Sequence, residues 1–160
     1  MRLHLPSPVA TDRLGAALAA SRPPRAIVHL RGDLGAGKST LARALLRALG
    51  VTGAIRSPTY TLVERYPLPE GGDALHLDLY RIGDAGELEF LGLDPAEGTL
   101  WLIEWPERGA TALPPPDLAI ELALEGPGRS FAATAGTPAG ADWLRRLGAD
   151  PDLRTFPVAG

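Results

Sequence analysis

Apolar residues along this chain recur in two periods, and the changes between them divide it into elements. Leu14, Ala17 and Leu18 lie three and four apart. They predict one face of a helix within residues 6–22, with Thr11 or Asp12 as N-cap and Pro23-Pro24 as its end. The short run Ala26-Ile-Val-His-Leu-Arg31 predicts a buried strand. Helical spacing returns at Leu41, Leu45, Leu46 and Leu49, so residues 39–49 predict a second helix with Gly50 as its C-cap. Residues 56–63 begin as a loop and become a strand near Thr59, and residues 67–73 have turn chemistry. Ala74-Leu-His-Leu-Asp-Leu-Tyr80 alternates as a strand, and residues 84–91 predict a short helix capped by Asp84. Thr99-Leu-Trp-Leu-Ile103 is apolar throughout, the pattern of a central strand buried on both faces. After Pro114-Pro-Pro116, residues 117–124 predict a strand, residues 129–134 its pairing partner, and residues 141–147 a last helix. Together they predict a mixed sheet with helices on its faces. Residues 1–149 are expected to form one domain, and residues 150–160 a frayed, flexible tail.

Composition narrows the function classes. A formal net charge of −3 provides no overall basic field for stable nucleic-acid binding, which leaves only a local patch. With no cysteine there is no disulfide, thiolate zinc site or thiol nucleophile. Met1-Arg-Leu-His-Leu-Pro6 lacks the apolar core of a signal peptide, and no apolar run approaches the ~20 residues of a membrane span. A soluble cytoplasmic protein is the expectation.

One residue stands out against that background. Of the 16 basic residues, Lys38 is the only lysine, and it lies in Gly32-Asp-Leu-Gly-Ala-Gly-Lys-Ser39. The segment fits the phosphate-loop pattern G-x-x-x-x-G-K-[ST] and sits between a predicted strand and a predicted helix, the context the pattern needs. An ammonium is a compact point charge that enters such a loop, whereas a guanidinium is a wide planar fork. Backbone N–H groups and the helix N-terminus then cradle a phosphate. Gly35 and Gly37 allow close approach, Lys38 is placed to span the β- and γ-phosphates, and the Ser39 hydroxyl to ligate Mg²⁺. Asp33 belongs on the outer rim, since its carboxylate repels phosphate. These features predict an α/β, P-loop NTPase-like three-layer α/β/α sandwich with a mixed, mainly parallel central sheet.

Phosphoryl transfer also needs a carboxylate for the metal and a group that positions the nucleophile. Glu104 follows Trp101-Leu-Ile103, where a buried strand emerges at its C-terminal edge and ligands bind in open α/β sheets. Asp78 shares a strand face with His76 and Tyr80. For His76, a structural hydrogen bond and a functional role stand level. Ser57-Pro58-Thr59-Tyr60-Thr61 is either a loop that senses the γ-phosphate or an ordinary turn into a strand. Trp105 is open between core packing and stacking on a base or a partner. Guanine readers use Asn-Lys-x-Asp, which cannot occur here because the one lysine is already in the loop. ATP is therefore the expected nucleotide, with GTP read in another way left as the alternative.

Five segments then occur in order: Gly32-Asp-Leu-Gly-Ala-Gly-Lys-Ser-Thr40, Ser57-Pro-Thr-Tyr-Thr-Leu-Val63, His76-Leu-Asp-Leu-Tyr-Arg81, Glu87-Leu-Glu-Phe-Leu-Gly92 and Leu102-Ile-Glu-Trp-Pro-Glu107. Over residues 5–125 this resembles the TsaE (YjeE) family, the ATPase component of bacterial tRNA threonylcarbamoyladenosine synthesis. The resemblance implies ATP and Mg²⁺ as cofactors and slow ATP hydrolysis. It implies TsaB and TsaD as partners, with TsaD carrying the transfer to adenosine 37, so that tRNA is acted on indirectly through the complex. It implies Ser39 and Glu104 as metal ligands and the cradle Asp33, Leu34, Gly35, Ala36, Gly37, Lys38, Ser39, with Thr40 beside it. It also implies Thr11 at the base end, Asp78 and the Thr59–Thr61 loop in activity, with Thr61 as the candidate hydroxyl, and Trp105 near the nucleotide. Two other classes share the loop: a small-molecule kinase, for which Arg65 and Arg81 are the candidate lid residues, and a nucleotide-gated interaction module without turnover.

Overall fold

A computed structural model describes residues 1–94, 96 and 98–160, the side chains of Phe90 and Ala110 aside. Seven strands form one sheet in the order β1-β7-β6-β2-β5-β4-β3. They are β1 (Arg2–Leu5), β2 (Ala26–Arg31), β3 (Val63–Pro67), β4 (Asp73–Asp78), β5 (Leu100–Glu104), β6 (Leu118–Glu125) and β7 (Gly128–Ala135). The central neighbours β6, β2, β5 and β4 run parallel, and the outer pairs are antiparallel. The mixed sheet, parallel at its centre, is as the sequence predicts.

Strand alternation sorts side chains onto two faces. Val28, Leu30, Leu100, Leu102, Leu118 and Ile120 face α1 (Pro8–Ser21), α2 (Lys38–Ala48) and α3 (Pro138–Gly148) in one core. Leu75, Leu77, Trp101 and Ile103 build a second, smaller core on the other face, with Leu79, Ile82 and Leu88. There the covering layer carries 3-10 turns at Ala85–Leu91, Pro106–Arg108 and Ala110–Ala112. On the helical face, α1 crosses α2 where Gly15 meets Ala44; a Cβ on Gly15 would lie 2.6 Å from the Ala44 methyl. The fully buried Trp143 pins α3 to α1 by donating its indole N–H to the Leu18 carbonyl at 3.2 Å and the Ser21 hydroxyl at 3.1 Å.

Four local expectations change. Ser7 is the N-cap of α1, its hydroxyl accepting from the Ala10 N–H with Pro8 in the first turn, so Thr11 lies inside the helix. Residues 58–61 remain turns, and strand pairing starts at Val63, because Leu62 takes a left-handed conformation at φ 67°. Residues 2–5, which the pattern leaves unassigned, form β1 through antiparallel pairing with β7. The tail expected to fray instead packs: Leu153 and Phe156 are buried, the His4 N–H donates to the Pro157 carbonyl at 2.7 Å, and Arg13 grips Asp152 while stacking 4.5 Å over Phe156. Apolar residues at the two positions supply burial that composition around them conceals.

His29 on β2 is 7% exposed, and its ring makes no hydrogen bond of good geometry among the described residues, the Pro114 carbonyl being its nearby acceptor. Burial pushes its pKa below the ordinary 6.5, helped by Arg31 and opposed by the Pro114 carbonyl and Glu107. The unfolded chain therefore takes up this proton at a higher pH than the folded chain. This contribution to stability is complete above about pH 6.5 and is lost as pH falls toward the folded value. Chemical denaturation of wild type and His29→Leu between pH 8 and 5 is expected to show a steeper acid loss in wild type. Equal slopes would contradict the neutral, buried imidazole.

Candidate nucleotide-binding site

The loop between β2 and α2 turns the chain through backbone angles that glycine tolerates. Gly37, the N-cap of α2, has φ 104°, and a Cβ there would also approach the Arg129 Nε at 3.7 Å. Lys38 follows as the first residue of α2 and is only 5% exposed. Its ammonium donates to the carbonyls of Gly32 at 2.6 Å and Asp33 at 2.8 Å, and it lies 4.6 Å above the Trp105 ring centroid. A buried cation needs such partners. Asp33, Leu34 and Gly35 are exposed on the rim, and Ala36 is buried beneath them.

Register sets the acidic side. Glu104 ends β5 opposite Leu30 of β2 and Asp78 of β4. The side chain of Glu104 is 3% exposed and accepts from the Ser39 hydroxyl, 2.9 Å from each carboxylate oxygen. His76, on the same face of β4 as Asp78, places Nε2 2.6 Å from Glu104 Oε2. Asp78 is 7% exposed, accepting from the Tyr80 N–H at 3.0 Å and from the Thr59 hydroxyl at 3.4 Å. Lys38, Ser39, Asp78 and Glu104 thus gather at the C-terminal edge of the parallel strands, where α/β sheets bind ligands.

The donor set suits Mg²⁺. Ser39 and Glu104 present hard oxygens side by side, and no cluster of three or more His, Cys, Asp or Glu that could hold a metal occurs among the described residues. Mg²⁺ is commonly held this way, by one or two protein oxygens with phosphates and water completing the shell, rather than by an all-protein cage.

The 57–61 loop divides its hydroxyls. Thr59 reaches Asp78, whereas the exposed Thr61 donates to Glu64 Oε1 at 3.0 Å, away from the carboxylates. Trp105 joins the site through its backbone: before Pro106 it adopts φ 56°, ψ 50°, rare for a bulky residue and costing about 1–3 kcal/mol. The turn sets the indole between the Lys38 ammonium and the Tyr80 ring, whose centroid is 4.9 Å away.

Sequence reading missed the far wall. A cavity of about 210 Å³ opens beside the loop, lined by Thr11, Gly37, Thr40, Leu5, Pro127 and Arg129 among others. Thr11 and Thr40 are thereby brought together, while Leu5 and Arg129 arrive from β1 and from the start of β7. The Gly-Arg pair at Gly128-Arg129 was the available signal, but its distance in sequence from the loop hides its place.

This cradle, with a buried carboxylate at the edge of a parallel sheet, defines a P-loop-like nucleotide-binding protein. The model of the family "Threonylcarbamoyl adenosine biosynthesis protein TsaE" matches residues 5–131. The tRNA threonylcarbamoyladenosine biosynthesis protein TsaE of Haemophilus influenzae is 43% identical over 116 residues, covering 71% of this chain and 73% of the relative. Its Synechocystis counterpart is 46% identical over 116 residues, covering 68% and 71%. The crystal structure of Bacillus subtilis YdiB superposes with a TM-score of 0.74 at 25% identity, covering 92% of this chain and 93% of that one. The chain belongs to the TsaE family.

Arg129 is the one cation among the residues lining the cavity. Arg129→Ala is expected to weaken ADP binding about ten-fold, about 1.4 kcal/mol, in isothermal titration. An unchanged affinity would place the nucleoside elsewhere.

Proposed function

We propose that this protein binds ATP with Mg²⁺ and hydrolyses it slowly, serving threonylcarbamoylation of tRNA adenosine 37 in the cytoplasm together with TsaB and TsaD. The observation that carries the proposal is the convergence of Lys38, Ser39 and Glu104 at one strand edge, inside a family whose members are named for threonylcarbamoyladenosine synthesis. No helix among the described residues is long and apolar enough to cross a membrane, which accords with this setting.

The chain's own groups divide the work. Backbone N–H groups of residues 34–39 and the N-terminus of α2 receive the phosphates, and the cavity holding Thr11 and Arg129 takes the nucleoside. Lys38 exchanges its two carbonyl partners for phosphate oxygens, a stronger charge-assisted pairing. Ser39 and Glu104 would hold Mg²⁺, which would supply charge neutralisation at the phosphates. Asp78, steadied by Thr59 and the Tyr80 N–H, positions the attacking water. Trp105 covers Lys38 and limits water at the loop. Residues 56–61 carry mostly exposed side chains, with Tyr60 83% exposed, so partner docking is available to order them and bring Thr61 into play. Slow turnover alone and faster turnover in the complex follow.

Purified protein is expected to hydrolyse ATP slowly and to accelerate when TsaB and TsaD are added. Lys38→Ala should lose at least about a hundred-fold in both settings, on the scale of losing one stabilising contact to transition-state charge. No acceleration with the partners would contradict the proposed complex. Transfer of phosphate to a metabolite with little loss to water would mark a kinase instead.

A further inference from the structure

His76 is the group at this site whose role the hydrolysis scheme leaves unused. It is fully buried at 0% exposed, and Nδ1 has no hydrogen-bond partner among the described residues. Among the described residues, the one polar contact of the ring is Nε2 to Glu104 Oε2 at 2.6 Å. Because an ionised carboxylate only accepts, Nε2 carries the hydrogen and donates. A buried imidazole with one nitrogen left unsatisfied is costly on a sheet face where its β5 register partner is the apolar Leu102. The strand register explains what is gained. His76 pairs with Leu102 and Asp78 with Glu104, so the imidazole lies one strand across and diagonal to the carboxylate, within reach of its outer oxygen.

Ser39 alone does not fix that carboxylate. Its hydroxyl has one hydrogen and stands 2.9 Å from both oxygens, so it is shared between them and leaves the group free to turn about its Cγ. The His76 donor selects one oxygen and stops the rotation. That leaves Oε1 with the Ser39 hydroxyl as its contact among the described residues. We propose that His76 is a positioning residue that orients Glu104 for Mg²⁺, acting through the carboxylate and never touching the nucleotide. Outer partners of metal-binding groups commonly set affinity by 10–100-fold. The inference rests on Glu104 being a Mg²⁺ ligand, and the experiment separates the two.

ADP binding to the full chain is measured by isothermal titration in EDTA and across a Mg²⁺ series, for wild type, His76→Leu and His76→Gln. In EDTA all three are expected to bind ADP within about two-fold of one another, because the phosphate cradle is untouched. In the Mg²⁺ series, His76→Leu should need about ten-fold more Mg²⁺ for half its effect. His76→Gln, whose amide nitrogen reaches the place of Nε2, should recover most of the loss. A purely structural histidine would instead change thermal stability and EDTA binding without shifting the Mg²⁺ midpoint. Should His76→Leu not fold, His76→Asn replaces it: its shorter amide stops near the place of Nδ1 and should behave as the leucine. A wild-type Mg²⁺ midpoint in a folded His76→Leu or His76→Asn overturns the proposal. ADP binding by wild type that ignores Mg²⁺ overturns the metal reading itself, and the proposal with it.

Discussion

The Glu104 carboxylate, buried at the end of β5, is the constraint around which the rest of the site is arranged. An unpaired charge at 3% exposure is too costly to keep, so donors must come to it. One arrives from α2 as the Ser39 hydroxyl and another from β4 as the His76 ring. These three elements meet only if β4 and β5 pair in the observed parallel register and α2 packs over that edge. A slip of β5 by one residue against β4 would turn Glu104 to the face opposite His76 and Asp78. The two cores flanking the sheet hold this register in place, and the polar site depends on them.

Lys38 is solved differently. Its partners are backbone carbonyls of the loop it belongs to, with an aromatic face above. The cation is thereby stored at the place where an anion is expected, with contacts that break without disturbing the fold. Glu104 is fixed by side chains of other elements, and Lys38 is held by exchangeable ones. That division leaves one fixed carboxylate wall and one exchangeable cationic wall. The strained Trp105 turn joins the two, since it follows Glu104 in sequence and covers Lys38 in space.

Much of this is legible in the residues themselves. The apolar run before Glu104 predicts a central strand ending in a carboxylate, and the structure buries that strand on both faces. The spacing of His76 and Asp78 places them on one strand face, as observed. What the sequence hides depends on non-local geometry. β1 is four residues long and owes its existence to β7. Arg129 joins the loop's cavity only because the β6–β7 hairpin returns there. The choice between Thr59 and Thr61 follows from the left-handed Leu62, which no propensity signals. His76 carries no hint of Glu104 until register is known.

The lone lysine gives direct access to the central claim, that the Lys38 ammonium is stored on the loop and handed to a phosphate. Protein labelled with ¹⁵N and ¹³C at lysine alone gives one side-chain signal set, all of it from position 38. Without nucleotide, the Lys38 methylene and ammonium protons should be shielded by the Trp105 ring current, and the ammonium should be protected from exchange. Saturation with Mg²⁺ and ADP should move the ¹⁵N signal and change that shielding as the ammonium leaves the carbonyls. A lysine signal that stays in place at full nucleotide occupancy would contradict the account.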